Sequence, residues 1–460
     1  MDNVLFLPSD VLLCADECLD TQMHQKLFEG FAYGKCRVRF EKGVKGMLSF
    51  GTCEPPLLSQ DAEYALSITK DGFCVRGRDS ATLARGFCAL LQRMEWESGT
   101  GRIYLAPHFA QGVFKTGVRM LHLCVFPETT HLQLSRYIRL AGMLQYTHIV
   151  LEFWGMLRYD CCAALAWPQA FSKKEAGELI AQIRALGMQP IPMFNHLGHA
   201  TACRVNTGKH VVLDQDPSKF ALFTPDGWSW DVKNPEAVAL LRKVRAELYE
   251  LFGDGEYFHL GLDESYMYTQ SAELYGILPD YLGELTAEVA REGRRPLLWM
   301  DMFLPPEAFG GQKAHVCAQK TPEECDAVLG RLHPASVLVD WQYDMTEAPI
   351  PTSLYLKGKG FDLIGAPWLE VANGKAHIDT VVQNGLFGVM QTTWHTMHRE
   401  AFKMLPFARA LGAAKAPWSD VSNPKEETAA LLRKVTWEPY GYAEAGWRTA
   451  QITLGSEKEC

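Results

Sequence analysis

The chain has 460 residues, 47 % of them hydrophobic and 22 % charged, enough apolar material for a soluble globular protein larger than one ordinary domain. A net charge of -9, a pI near 5.9 and the lack of a long Lys/Arg cluster argue against a nucleic-acid partner. No apolar run is long enough to span a bilayer, and Met1–Pro8 lacks the basic flank and full apolar segment of a signal peptide. The 13 cysteines are odd in number and scattered, with neither disulfide-scaffold nor Cys-x-x-Cys spacing; reduced thiols in a cytoplasmic protein are the expectation.

Residues 1–111 read as a small α/β domain. Ala62–Thr69 and Phe73–Arg78 alternate as strands about a Lys70-Asp71-Gly72 hairpin turn. Ser80 is placed to cap a helix whose apolar face carries Leu83, Phe87, Leu90 and Leu91. From residue 112 to 415 the rhythm becomes strand, loop, helix. The strands are expected at Val118–Val125, His148–Phe153, Pro190–Phe194, Tyr257–Asp263, Pro296–Met302, Val337–Trp341, Leu363–Trp368 and Phe387–Trp394. Helices are expected at Leu132–Leu144, Lys173–Leu186, Pro235–Phe252, Tyr281–Glu292, Pro322–Leu332, His377–Asn384 and Glu400–Leu411. Eight nearly continuous apolar strands alternating with helices predict an α/β fold, a (β/α)8 TIM barrel; a Rossmann-like sheet would need fewer repeats and a Gly-rich first turn. Residues 416–460 read as a C-terminal helix opening at Asn423-Pro424, then a polar tail.

Within this rhythm the run Tyr257–Glu264 stands apart, because a buried strand ends on two adjacent carboxylates. Phe258, Leu260 and Leu262 alternate on one face and His259, Gly261 and Asp263 on the other, with Glu264 just past the strand. In a barrel this end of the strand is the face where chemistry is done. Two acids there can divide glycoside cleavage, one donating a proton to the leaving oxygen and one stabilising a developing cation. Most Asp-Glu pairs are solvated surface groups; the apolar strand beneath this one is what sets it apart.

Phe258-His259-Leu260-Gly261-Leu262-Asp263-Glu264 resembles the His-x-Gly-Gly-Asp-Glu signature of family 20 glycoside hydrolases, the β-N-acetylhexosaminidases. Glu63–Ile68 through Arg93 resembles the small domain that precedes the barrel in that family, and Asn195-His196-Leu197-Gly198-His199-Ala200 its third-strand loop. Leu298-Trp299-Met300-Asp301 and Thr393-Trp394 resemble later strand ends. The resemblance implies a substrate-assisted, retaining mechanism without metal or cofactor, in which the sugar's 2-acetamido oxygen attacks C1. Such a family is an exception to the two-carboxylate scheme, because no protein nucleophile is needed. The resemblance makes Asp263 the group that orients the acetamido N–H and Glu264 the general acid and base. His199 would hydrogen-bond the acid, and Asn195 and Glu152 stand at the third and second strand ends as substrate contacts. His259 is either a core histidine or a partner lying behind the acids. Trp299, Trp341, Trp368 and Trp394, near the ends of successive strands, would line a pocket for the pyranose and its acetamido methyl.

The chain departs from the family pattern at several points. Leu262 replaces a Gly, Trp368 stands where a pocket Tyr is expected, and His395-Thr396 stand where an acid would meet the outer hydroxyls. Arg119 is the candidate for the substrate-gripping Arg of the first strand, slightly out of register. The missing outer acid predicts that GalNAc or a 6-modified sugar is accepted as well as GlcNAc. The expected partner is an oligosaccharide or glycoconjugate, with a homodimer left open and no nucleic acid or membrane. Two rival readings are a non-catalytic sugar-binding barrel and a metal-dependent hydrolase using His196, His199 and Asp263.

Overall fold

A computed structural model describes residues 3–201, 212–309, 314–394, 404–409 and 424–436. The N-terminal part holds nine short strands: β1 (Leu5–Phe6), β2 (Asp10–Ala15), β3 (Arg37–Lys42), β4 (Met47–Gly51), β5 (Tyr64–Ile68), β6 (Gly72–Gly77), β7 (Met94–Trp96), β8 (Ile103–Leu105) and β9 (His108–Gln111). Six form one sheet in the order β3-β2-β4-β6-β5-β9, and β1-β8-β7 form a second. The helix over Ser80–Leu91 lies against β5 and β6 and buries Leu83, Phe87, Leu90 and Leu91. Its cap is Asp79 rather than Ser80: the Asp79 carboxylate accepts the Thr82 N–H, and Thr82 reciprocates on the Asp79 N–H.

Eight parallel strands then close a barrel in chain order: β10 (Val118–Cys124), β11 (His148–Glu152), β12 (Gln189–Met193), β13 (Tyr257–His259), β14 (Arg295–Trp299), β15 (Val337–Asp340), β16 (Asp362–Gly365) and β17 (Gly388–Gln391). Closure is made by β17 pairing with β10, with Val118 opposite Gly388 and Leu121 opposite Gln391. Inward side chains including Met120, Val150, Ile191, Leu297, Trp299, Val339, Ile364 and Met390 fill the interior, so the barrel is packed rather than hollow. Helices cover its outside. Pro235–Phe252 keeps the bounds read from the sequence, because Asn234 caps it, Pro235 opens it and Gly253 ends it at positive φ.

Other elements depart from expectation for local reasons. The helix expected at His377–Asn384 begins at Val371, and the one expected at Tyr281 begins at Leu278, beside Pro279. A short helix at Pro351–Gly358 gave no periodic signal; its Thr352 and Ser353 hydroxyls donate to the buried Asp340 carboxylate at 2.6 and 2.7 Å. The largest correction is β13, which ends at His259 instead of running to Asp263. Gly261, Leu262 and Glu264 have φ of 68, 86 and 50°, so the strand breaks into a tight irregular turn before the acids. Residues 404–409 are helical within the expected Glu400–Leu411, whose remainder lies outside the described residues, and Pro424–Lys434 forms the C-terminal helix.

Candidate active site

The turn after β13 is held by close backbone approach. A Cβ on Gly198 would lie 2.0 Å from the Asp263 carbonyl oxygen, and one on Gly261 would lie 2.8 Å from Asn195 Nδ2. Only glycine allows the third-strand loop and the acid turn to touch at these points. Leu262 and Glu264 take left-handed backbone with a Cβ, and His199 does so at φ 55°. Such strain costs about 1–3 kcal/mol per residue and persists only where the surroundings enforce it.

That packing brings His199 against both acids. Its Nε2 lies 3.0 Å from an Asp263 oxygen and 3.1 Å from a Glu264 oxygen, so one ring nitrogen bridges the pair. Asp263 is buried, whereas the Glu264 side chain keeps 32 % of its surface open. The other Asp263 oxygen accepts from Asn195 Nδ2 at 3.3 Å. Asn195 Oδ1 in turn accepts from Trp154 Nε1 at 3.3 Å, which fixes the amide with its N–H toward the acid. Trp154 Nε1 also donates to Glu152, whose second oxygen meets His122 Nε2 at 2.9 Å. Glu152 is fully buried with these donors, so it supports the site from beneath rather than contacting a ligand.

The remaining sequence-derived residues divide in the same way. His259 is fully buried against Trp299, with ring centroids 4.5 Å apart, and its Nδ1 accepts from the Gly261 N–H at 3.1 Å. Burial and the neighbouring His122 push its pKa well below the usual range, so it is a neutral anchor for the turn. Trp299 is fully enclosed among barrel side chains and forms the floor, its ring centroid 5.6 Å from that of the partly open Trp394. Trp341 and Trp368 stand on a wall completed by Tyr343, whose ring lies 5.1 Å from Trp341 and 5.4 Å from Trp368.

Arg119 is a correction. It sits at the start of β10, roughly 16 Å from the strand's far end at ~3.3 Å per residue. Its guanidinium forks onto Glu63 at 2.8 and 3.1 Å, and Nε donates to the Gln145 carbonyl at 2.9 Å. It ties the small domain to the barrel floor and does not face the mouth. His196, the expected metal ligand of the rival reading, also points elsewhere. It is buried beside Arg245, and burial together with that guanidinium lowers its pKa to about 3. Among the described residues no group of three or more His, Cys, Asp or Glu could hold a metal ion. His395 and Thr396 lie outside the described residues.

Three residues at the mouth were not among the site residues expected from the sequence, although Asp301 lies in the Leu298–Asp301 segment noted there. Trp228 donates from Nε1 to the Glu264 carbonyl at 2.7 Å and packs 4.5 Å from His199; it sits in an irregular loop without periodicity. Tyr343 accepts from Trp394 Nε1 at 2.7 Å, and its Asp340-Trp341-Gln342-Tyr343 setting at a strand end was the available signal. Asp301, just past β14, accepts the Glu264 N–H at 2.9 Å and Trp341 Nε1–H at 3.0 Å.

No family model matches the sequence, and no curated protein matches it. Solved structures do match. A family 20 exo β-N-acetylglucosaminidase from Vibrio harveyi in complex with N-acetylglucosamine superposes with a TM-score of 0.66 at 13 % identity, covering 94 % of this chain and 75 % of that one. The family 20 β-N-acetylhexosaminidase of Streptomyces coelicolor A3(2) gives 0.66 at 15 % identity over 94 % and 93 % of the two chains. A mutant Streptomyces plicatus β-hexosaminidase in complex with its product GlcNAc gives 0.66 at 15 % identity over 93 % of each. The fold is that of the family 20 glycoside hydrolases. In the family 20 fold of this chain, the small sheet domain, the closed barrel and the acid-bearing turn after the fourth barrel strand stand in one continuous arrangement.

Proposed function

We propose that the chain is a retaining, exo-acting glycoside hydrolase that removes terminal β-linked N-acetylhexosamine by substrate-assisted catalysis. The observation that carries this reading is one buried histidine bridging Asp263 and Glu264 at the barrel mouth, beside a wall of Trp341, Tyr343 and Trp368. Flat aromatic faces suit a pyranose and its acetamido methyl, and the acids supply the proton and charge chemistry.

In the first step the acetamido carbonyl oxygen forms a bond to C1 as the bond from C1 to the leaving oxygen breaks. Glu264 gives its proton to that oxygen. Asp263, held by Asn195 and His199, accepts the acetamido N–H and offsets the positive charge that gathers on the ring formed. In the second step Glu264, now a carboxylate, takes a proton from water, the water oxygen bonds to C1 on the face the aglycone left, and the bond from C1 to the acetamido oxygen breaks, restoring the 2-acetamido group. Two displacements at C1 return the β-anomer.

A metal-dependent hydrolysis loses its support with His196 turned toward Arg245. Two acids bridged by one histidine, with Glu264 partly open to the mouth, favour turnover over a purely sugar-binding barrel. The test is hydrolysis of an aryl β-N-acetylhexosaminide in EDTA, with the product anomer followed by proton NMR. Release of the β-anomer first supports the reading; α-anomer first, or activity abolished by EDTA, overturns it. The same assay compares GlcNAc, GalNAc and 6-modified sugars, and the outer-hydroxyl argument predicts that GalNAc or a 6-modified sugar matches or exceeds GlcNAc in kcat/KM.

A further inference from the structure

A third carboxyl group stands at this mouth. Asp301 opens a single 3-10 turn, Asp301–Phe303, and is 1 % exposed. Each of its oxygens holds one N–H donor, and the Cys317 thiol bonds to the same carboxyl. Oδ2 accepts the backbone N–H of Glu264 at 2.9 Å, and Oδ1 accepts the indole N–H of Trp341 at 3.0 Å. Its carbonyl accepts the Cys317 N–H at 2.7 Å, which ties the turn to the segment carrying His315. His315 stacks on Trp341, with centroids 5.0 Å apart and planes 29° from parallel.

The peptide that Asp301 holds is the strained one. Glu264 has φ 50°, a conformation a residue with a Cβ keeps only under external restraint. The Trp228 indole restrains the same residue from the carbonyl side at 2.7 Å. A carboxyl group is suited to the other side, since it has two oxygens, one turned to each N–H. Its burial is costly: burial first, then the Asp263 and Glu264 charges, push its pKa up to about 7, with the Glu264 N–H bond opposing. The Cys317 thiol faces it too and is itself driven upward by burial and by Asp301. A group kept at such cost, aimed at one strained peptide and one wall indole, has a structure-setting task at the site.

We propose that Asp301 is a positioning residue that couples the aim of Glu264 to the aromatic wall, so that a sugar seated against Trp341 fixes the proton donor's backbone. A ligand that stills the Trp341 ring stills its N–H, which holds Asp301 and through it the Glu264 peptide. The proposal rests on the reading of Glu264 as general acid.

The test uses the full chain and aryl β-N-acetylhexosaminides with graded leaving groups. Asp301→Asn keeps the shape but leaves one acceptor oxygen for two N–H donors and the Cys317 thiol. It should lower kcat/KM roughly ten- to hundredfold for poor leaving groups and much less for nitrophenol, with KM little changed, a part of the 10²–10⁴ a general acid supplies. Trp341→Phe, which keeps a ring and loses the N–H, should steepen leaving-group dependence in the same direction but less. The double variant should be no worse than Asp301→Asn alone, because the two act through one link. A folded Asp301→Asn with wild-type leaving-group dependence, or with equal losses on good and poor leaving groups, overturns the coupling. If Asp301→Asn fails to fold, wild-type leaving-group dependence in Trp341→Phe overturns it instead. A wild type that hydrolyses no β-N-acetylhexosaminide overturns both this inference and the function it rests on, whereas the variant outcomes overturn the coupling alone.

Discussion

The two ends of the barrel both bury charge, and they do so in opposite ways. At the N-terminal end, Glu63 faces two guanidiniums: Arg119 forks onto it, and Arg85 Nε lies 2.7 Å away while its own NH1 donates to the Gly187 carbonyl. Although burial alone would raise it, the Arg119 and Arg85 contacts hold the Glu63 carboxyl below its usual range. At the C-terminal end three carboxyls stand together, Asp263 and Glu264 share one histidine, and Asp301 is pushed up to about 7. Satisfied charge marks the end that joins two domains. Charge left in tension marks the end where protons would move.

Breaking the mouth should give the largest effect. Glu264→Gln should lower turnover by roughly two to four orders of magnitude on substrates with poor leaving groups, and less in the first step for nitrophenol. Steady-state kinetics across leaving groups reads this directly, and an equal loss for all of them would remove Glu264 from the role of acid.

Breaking the floor should cost stability instead. Glu63→Ala strands two buried guanidiniums and should destabilise the fold by about 3–5 kcal/mol, while the folded fraction keeps its kcat. Denaturant unfolding paired with activity per folded molecule checks it. A variant that unfolds normally but turns over slowly would erase the distinction between the two ends.

The pH dependence of stability sharpens the contrast. Asp301 has a folded pKa raised above its unfolded value, so the fold favours its neutral form. Its contribution is fully present below about pH 4 and is lost as pH rises through about 7. Wild-type Tm should therefore fall between about pH 4 and 7 more than that of Asp301→Asn, which has no proton to lose. Parallel Tm curves for the two proteins would contradict the assignment. The smallest effect is expected of Arg119→Lys, which keeps a charge but loses the fork. It should cost about 1–2 kcal/mol and leave KM unchanged, whereas a raised KM would restore Arg119 as a substrate contact.

Much of the architecture was legible because it is local. The eight-strand rhythm follows from apolar runs, and Pro235–Phe252 could be bounded at both ends by Asn234, Pro235 and Gly253. Asp263 and Glu264 were legible from their place after a strand, and His199 from the resemblance of its loop to the family's third-strand loop. The missing parts all depend on contacts distant in sequence. Leu262 and Glu264 read as strand or strand edge by alternation, and only tertiary restraint from Asp301 and the third-strand loop turns them left-handed. Arg119 reads as a strand residue near a site until Glu63, far earlier in the chain, is seen to claim it. Trp228 has no periodic neighbours, and Glu152 looks like a strand-end ligand until His122 and Trp154 are found holding it.

The central claim is that the substrate's own acetamido oxygen is the nucleophile, with Asp263 and Glu264 serving it. The most direct measurement is kcat/KM for a series of aryl β-glycosides whose N-acetyl group carries zero, one, two or three fluorines. Fluorine drains electron density from the carbonyl oxygen and leaves the rest of the sugar nearly unchanged. The account predicts a steep fall in kcat/KM with each fluorine; a flat series would contradict it and assign the first bond at C1 to another nucleophile.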